Sequence, residues 1–257
     1  MHGSHPTDGL RDGRALTPLP KPPKAMILAA GRGERMRPLT DRTPKPLLAV
    51  HGKPLIEWHI EALARDGVRE IVVNTAWLEE QIVAALGDGS RWGVSIRYSM
   101  EGRDHGGALE TAGGIAKALH WLTQAADDVF WLVSADIHAP AFRFDGAAAQ
   151  RFARSDAQAH LWLVPNPPFH PAGDFGLDAL GHGLADGPGP DGRTWTYANL
   201  ALCRASLCAH IEPGRKMALG PLLFDGMRRR RISAEVYRGE WANVGTPEQL
   251  QALNRAL

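Results

Sequence analysis

The sequence predicts an α/β fold, a Rossmann-like and mostly parallel sheet flanked by helices, with a small β-rich portion toward its end. Three observations carry this. Apolar runs alternate with segments of helical periodicity in the order β, α, β, α, β over residues 24–98, and that order builds parallel sheets. An apolar fraction of 44% in 257 residues supplies a sizeable core. A turn rich in glycine and arginine leaves the first apolar run directly, and ligands of parallel sheets bind beyond the carboxyl ends of the strands. Residues 24–257 are expected to form one domain. Residues 1–23 are polar, rich in Pro and Gly, and without the apolar stretch of a signal peptide, so they are expected to be a disordered leader.

The elements follow in order. Residues 24–30 form the first strand. Leu55, Ile56, His59, Ile60 and Leu63 fall at helical spacing, Gly67 stops that helix, and His59 reads as a core-edge histidine. Residues 70–74 and 94–98 are strands, with a helix over 77–86 between them. A helix runs from Leu109 through Leu122, a fourth buried strand covers 128–134, and 142–154 holds a further helix. Strands are expected at 160–164 and, by alternation and aromatic content, at 194–202, with a loop at 186–193. Thr246 is the N-cap and Pro247 the first residue of the last helix.

Composition narrows the function. With 29 basic and 28 acidic residues the net charge is +1, which argues against nucleic acid or an anionic membrane as the main partner. No run has the apolar length of a membrane span. Cys203 and Cys208 have no zinc or disulfide spacing and read as packed, reduced thiols, in keeping with a cytoplasmic location. The four arginines at 228–231 read as a solvated helix end.

The candidate site starts at the glycine turn. Gly31 and Gly33 let the backbone wrap close to an anion, and Arg35, Arg37 and Lys45 add charge-assisted donors for phosphate oxygens. Gly31-Arg32-Gly33 taken alone reads equally well as a plain turn. No Gly-Lys-Ser or Gly-Lys-Thr follows, so this is not a Walker loop, and Arg35 and Met36 stand where a dinucleotide fingerprint has its third glycine. Asp136 ends the fourth strand, where a magnesium ligand would sit; an isolated Asp there is more often a turn residue.

The longer pattern is more specific. LAAGRGERMRPLT followed by PKPLL resembles the signature of the sugar-1-phosphate nucleotidyltransferases, keeping Gly31, Gly33, Arg35, Pro38, Thr40, Pro44, Lys45 and Pro46. Leu109-Glu110-Thr111-Ala112-Gly113-Gly114, Gly173-Asp174-Phe175, the Lys216 to Leu223 stretch and Glu240 to Thr246 resemble later family motifs. Ala135 replaces the family glycine before Asp136, Asn243 stands where most members have Asp, and 103–107 looks like an insertion. The resemblance implies transfer of a nucleotide from a nucleoside triphosphate to a sugar 1-phosphate, with Mg2+ on Asp136 and Asn243 and with Arg35, Lys45 and Asp136 as catalytic residues. It places Ala29, Ala30, Gly31, Gly33, Glu34, Met36, Arg37, Lys45, Asn74, Leu109 and Thr111 on the nucleotide, and Glu110, Gly113, Asp174, Asn199 and Lys216 on the acceptor sugar. Within the family the chain resembles members that use UTP and N-acetylmuramate 1-phosphate in cell-wall recycling. A mannose- or glucose-1-phosphate enzyme with another nucleotide is the alternative, and a non-catalytic sugar-nucleotide sensor, suggested by Asn243 alone, is the alternative of another class. The expected assembly is a monomer or small homo-oligomer.

Overall fold

The structure, a computed structural model, describes residues 22–255. The expected leader lies outside the described residues as far as position 21. In chain order the elements are β1 (Ala25–Leu28), β2 (Ala49–Val50), β3 (Lys53–Pro54), α1 (Leu55–Arg65), β4 (Glu70–Thr75), α2 (Glu79–Leu86), β5 (Ser95–Met100), α3 (Glu101–His105) and α4 (Glu110–Leu122). There follow β6 (Val129–Ser134), β7 (Ile137–His138), α5 (Gly146–Arg154), β8 (Ala159–Val164), β9 (Phe175–Leu177), β10 (Gly183–Leu184), β11 (Thr194–Arg204), α6 (Gly220–Arg228), β12 (Ile232–Val236), β13 (Ala242–Asn243) and α7 (Pro247–Arg255).

The main sheet has two halves that meet at β6. Strands β5, β4, β1 and β6 lie side by side and parallel. Beyond β6 the sheet turns mixed: β11 runs antiparallel to β6, β8 and β9, while β12 is parallel to β8. Leu28 pairs with Asn74 on one side and Ser134 on the other. That register brings the carboxyl ends of three strands level, so the segments starting at Ala29, Thr75 and Ala135 leave at one edge.

Alternation along the strands builds a core on each face. Ile27, Val73 and Trp131 face one way and pack with Ile56, Ile60, Phe142 and Phe144. Met26, Val72 and Leu132 face the other way, toward Ile115, Ala118 and Leu223. Burying each such side chain is worth roughly 1.5–3 kcal/mol. Trp131 stands edge-on to Phe144, with ring centroids 5.2 Å apart, and the helix expected over 142–154 begins only at Gly146, since Phe142 and Phe144 are taken up in this aromatic cluster ahead of it. Asp145 then starts α5 by accepting the Ala147 and Ala148 N–H groups. Cys203 and Cys208 are buried and unpaired with each other.

Several short elements carry no periodic signal in the sequence. The inserted stretch at 103–107 belongs mostly to α3, whose first N–H groups, from Gly102 and Arg103, donate to the Glu79 carboxylate at 3.0 and 2.8 Å. β7 and β13 pair over two residues only, Asn243 opposite Ile137. Asn199 has φ of +58°, at the register break of β11 between Tyr197 and Ala201. A residue that tolerates the left-handed region occupies a kink where glycine would be the default.

Candidate active site

A cleft of about 550 Å³ opens at the sheet edge where β1, β4 and β6 end. Its floor is the backbone from Leu28 to Gly33, and Arg35, Lys45, Asn74, Glu110, Thr111 and Asp136 stand on its walls with Glu34 and Gly245. The loop after β1 is held from behind. Gly33 is left-handed, with φ of +67°, and a Cβ there would come within 3.0 Å of the Thr40 methyl and 3.2 Å of Lys45 Cβ. Thr40 Oγ1 donates to the Gly33 carbonyl at 2.8 Å, Trp77 Nε1 donates to the Thr40 carbonyl at 2.8 Å, and the Arg32 guanidinium lies 3.4 Å over the Trp77 ring.

Lys45 and Asp136 form an ion pair at 2.7 Å in this cleft. The pair engages Asp136 Oδ2 and leaves Oδ1 buried without a partner; Asn243 Oδ1 is buried and unpartnered as well. The β7–β13 ladder brings the two together, because Val244 N–H donates to the Asp136 carbonyl at 2.9 Å. Two orphaned oxygens on adjacent backbones suit a hard oxygen-seeking cation that keeps waters and phosphates as its other ligands. Among the described residues no group of three or more His, Cys, Asp or Glu side chains is placed to hold a metal. His59 steadies the same segment by donating from Nε2 to the Ile137 carbonyl at 2.8 Å. Burial drives its pKa down to about 4, so the ring stays neutral.

Behind the cleft lies a buried carboxylate that sequence reading did not single out. Glu101 Oε2 accepts the Leu109 N–H at 2.8 Å and Oε1 accepts the Asn74 amide at 2.7 Å, while Asn74 Oδ1 accepts the Ala29 N–H at 2.9 Å. One fully buried side chain thereby ties the ends of β1 and β4 to the start of α4. Burial pushes the Glu101 carboxyl above the usual range, and these two bonds pull it back. The sequence signal was present as an acidic residue directly after a strand, but its two partners, Asn74 and Leu109, lie in other segments.

A second cleft, also about 550 Å³, adjoins the first and shares Leu28, Arg35, Thr111 and Ser134 with it. Its far wall is apolar, with Phe169, Phe175, Leu219, Leu223, Phe224 and Trp241. Asp174 and Asn199 border it. Asp174 Oδ2 accepts the Tyr197 N–H at 2.8 Å and Oδ1 meets His170 Nε2 at 3.0 Å. Arg35 makes no hydrogen bond or ion pair to other described residues, so its guanidinium is free where the clefts meet.

The structure brings most of the sequence-predicted residues to this edge, and places six elsewhere than expected. Met36 is fully buried with Leu48, Val50, Leu55 and Val244, because the 3-10 turn that aims Arg35 at the cleft turns its neighbour inward. Arg37 is exposed and ion-paired with Asp41 at 2.9 Å. Leu109 is core, its carbonyl accepting the Met217 N–H at 3.0 Å. Gly113 touches neither cleft; a Cβ there would collide with the Arg215 carbonyl, so its role is close packing of the 215–217 segment. Lys216 is exposed on that segment, outside both clefts. Glu110 borders the nucleotide-side cleft rather than the acceptor side, in a left-handed conformation with φ of +61°.

A parallel-sheet edge with a glycine floor, converging cations and a free carboxylate oxygen defines a polyanion-binding α/β enzyme site. Comparison with known proteins gives the family. A family model described as "Nucleotidyl transferase" matches residues 24–183. The N-acetylmuramate alpha-1-phosphate uridylyltransferase of Neisseria meningitidis serogroup B is 48% identical over 87% of this chain and 93% of its own length. The protein of the same description from Caulobacter vibrioides is 32% identical over 88% and 93%. Among solved structures, a Bacillus anthracis protein in complex with sucrose superposes with a TM-score of 0.73 at 19% identity, over 90% of this chain and 94% of that one. HddC from Yersinia pseudotuberculosis gives 0.69 at 17%, over 90% and 98%; these two show the shared fold. The chain belongs to the sugar-1-phosphate nucleotidyltransferase family and is an enzyme of that class. The family binds a nucleoside triphosphate and a sugar 1-phosphate and commonly uses a divalent cation such as Mg2+. Among the described residues no helix is long and apolar enough to cross a membrane.

Proposed function

We propose that this enzyme joins UTP to N-acetylmuramate 1-phosphate, giving a nucleotide sugar and pyrophosphate for cell-wall recycling. The observation that carries the reaction is the unpaired Arg35 on the wall shared by the two clefts, beside Lys45 and Asp136. Similarity to two relatives named for this sugar and nucleotide supports the substrates. So does the apolar acceptor wall, which suits an N-acetyl group and an ether-linked carboxyethyl arm better than a bare hexose.

An oxygen of the acceptor phosphate attacks the α-phosphorus in line, the bond from that phosphorus to the bridging oxygen of the β-phosphate breaks, and pyrophosphate leaves with the electron pair. The acceptor phosphate is already an anion, so no general base is needed, and the work lies in positioning two polyanions. The loop of Ala29, Ala30, Gly31 and Gly33 takes the nucleotide side, Arg35 spans both substrates, and Lys45 offsets the charge that grows on the leaving group. Asp136 and Asn243 are the residues that would hold Mg2+, which when bound supplies positive charge to the phosphate oxygens. Asn243 brings one negative charge fewer than the usual Asp and still offers an oxygen.

The test is pyrophosphate release over a panel of sugar 1-phosphates and the four nucleoside triphosphates, with Mg2+. The highest kcat/KM is expected for N-acetylmuramate 1-phosphate with UTP. A preference for glucose or mannose 1-phosphate would overturn the choice of sugar, and a preference for another triphosphate the choice of base.

A further inference from the structure

A third space lies on the other side of the residues that close the acceptor cleft. It measures about 560 Å³ and shares Phe169, Trp241 and Asn243 with that cleft. We infer that this pocket is the subsite for the substituent arm of the acceptor, and that it takes an apolar arm ending in a carboxylate, with Arg238 as its ionic partner. The inference rests on the proposed acceptor and extends it to residues with no assigned role.

Four observations converge there. The pocket is lined mainly by apolar groups, among them Val164, Pro165, Ala242 and Leu253, so it favours carbon over a second phosphate. Arg238 is exposed at this pocket and makes no hydrogen bond or ion pair to other described residues, so its guanidinium is available to a ligand. Tyr237 Oη, from the neighbouring position, is buried without a partner. Phe169 is half exposed, on the proline-rich loop between β8 and β9, and Trp241 is fixed by donating from Nε1 to the Ala198 carbonyl at 3.0 Å. Both rings line the acceptor cleft and this pocket alike, so the two spaces meet at Phe169 and Trp241.

The chemistry selects one occupant. A hexose phosphate has no apolar extension and no second anion, and the proposed reading assigns the nucleotide to the other cleft, on the far side of Arg35. N-acetylmuramate is an amino sugar bearing a carboxyethyl ether, a short apolar arm with a terminal carboxylate. A guanidinium without a protein partner at the rim of an apolar pocket meets such an arm at low cost, since no existing ion pair has to break.

The experiment compares N-acetylmuramate 1-phosphate with N-acetylglucosamine 1-phosphate, the same sugar lacking the arm, in the wild type and in Arg238→Gln and Ala252→Trp, with saturating UTP and Mg2+. Ala252 lies on the exposed surface of α7 at the pocket wall, so a tryptophan there fills the space while leaving the core intact. The ratio of kcat/KM for the armed sugar over the armless one is expected to fall about tenfold or more in Arg238→Gln, through KM, the size expected for one charge-assisted hydrogen bond, and by at least about tenfold in Ala252→Trp, which excludes the arm. A ratio that stays within about twofold of wild type in both variants, or an equal loss for both sugars, overturns the subsite. A wild type with no preference for the armed sugar overturns the proposed acceptor first, and the subsite with it.

Discussion

The two halves of the sheet hold their ligand-facing residues by different means. On the parallel half, polar side chains anchor the cleft loops from inside: Asn74 and Glu101 clamp Ala29 and Leu109, and Thr40 and Trp77 brace Gly33. On the antiparallel half the cleft wall is mostly aromatic and aliphatic, and its polar pair, His170 and Asp174, lies partly exposed beside the loop. The contrast fits the proposed division of substrates between the two clefts. Phosphates and the nucleotide are the constant part of the reaction and reward donors held in fixed positions. A sugar substituent is recognised by shape and by one or two polar contacts, which a wall of side chains can change without disturbing the sheet.

The contrast can be broken most forcefully on the phosphate side. Lys45→Ala removes a preorganised cation and leaves the Asp136 charge uncompensated, and kcat/KM for pyrophosphate release should drop by about a hundredfold or more. A loss of less than about threefold would mean that the pair is structural. Next comes Glu101→Ala, which strips the acceptor from two buried donors and should cost about 2–4 kcal/mol of stability, read as a lower denaturant midpoint. Where the protein remains folded, KM for UTP should rise while KM for the sugar phosphate stays put, and Glu101→Gln should recover part of the loss. An equal rise in both KM values would erase the distinction between the halves.

The smallest expected effect concerns pH. His59 has a folded pKa near 4 against an unfolded value of 6.5, because burial disfavours its charged form. The unfolded chain therefore binds the proton first as pH falls. The stability due to the neutral ring is complete above pH 6.5 and is lost between 6.5 and about 4. His59→Gln, which keeps a donor for the Ile137 carbonyl, should flatten the slope of unfolding free energy in that window by up to about 1.4 kcal/mol per pH unit. An unchanged slope would show that the ring is not held neutral.

Much of the parallel half was legible in the sequence, because glycines, cations and apolar runs sit together within a few residues. The Gly31 to Lys45 stretch declares its chemistry locally. What stayed hidden depends on contacts between distant segments. Glu101 works through Asn74 and Leu109, and the pairing of Asn243 with Ile137 beside Asp136 rests on a two-residue ladder too short to leave a periodic pattern. Met36 and Leu109 lie beside cleft residues in sequence yet point into the core, since one turn sends neighbouring side chains in opposite directions. β12 escaped notice because four arginines crowd its start, although three of them are paired with acids and the strand itself is partly buried. The apolar acceptor wall is drawn from three separate stretches, 169–175, 219–224 and Trp241, so no single motif announces it.

The most direct test of a shared meeting point for two anionic substrates is the steady-state kinetics of Arg35→Ala, with UTP and N-acetylmuramate 1-phosphate varied in turn. Because Arg35 borders both clefts, the account predicts higher KM values for both substrates together with a lower kcat. A variant that changes KM for one substrate alone, with kcat intact, would contradict it.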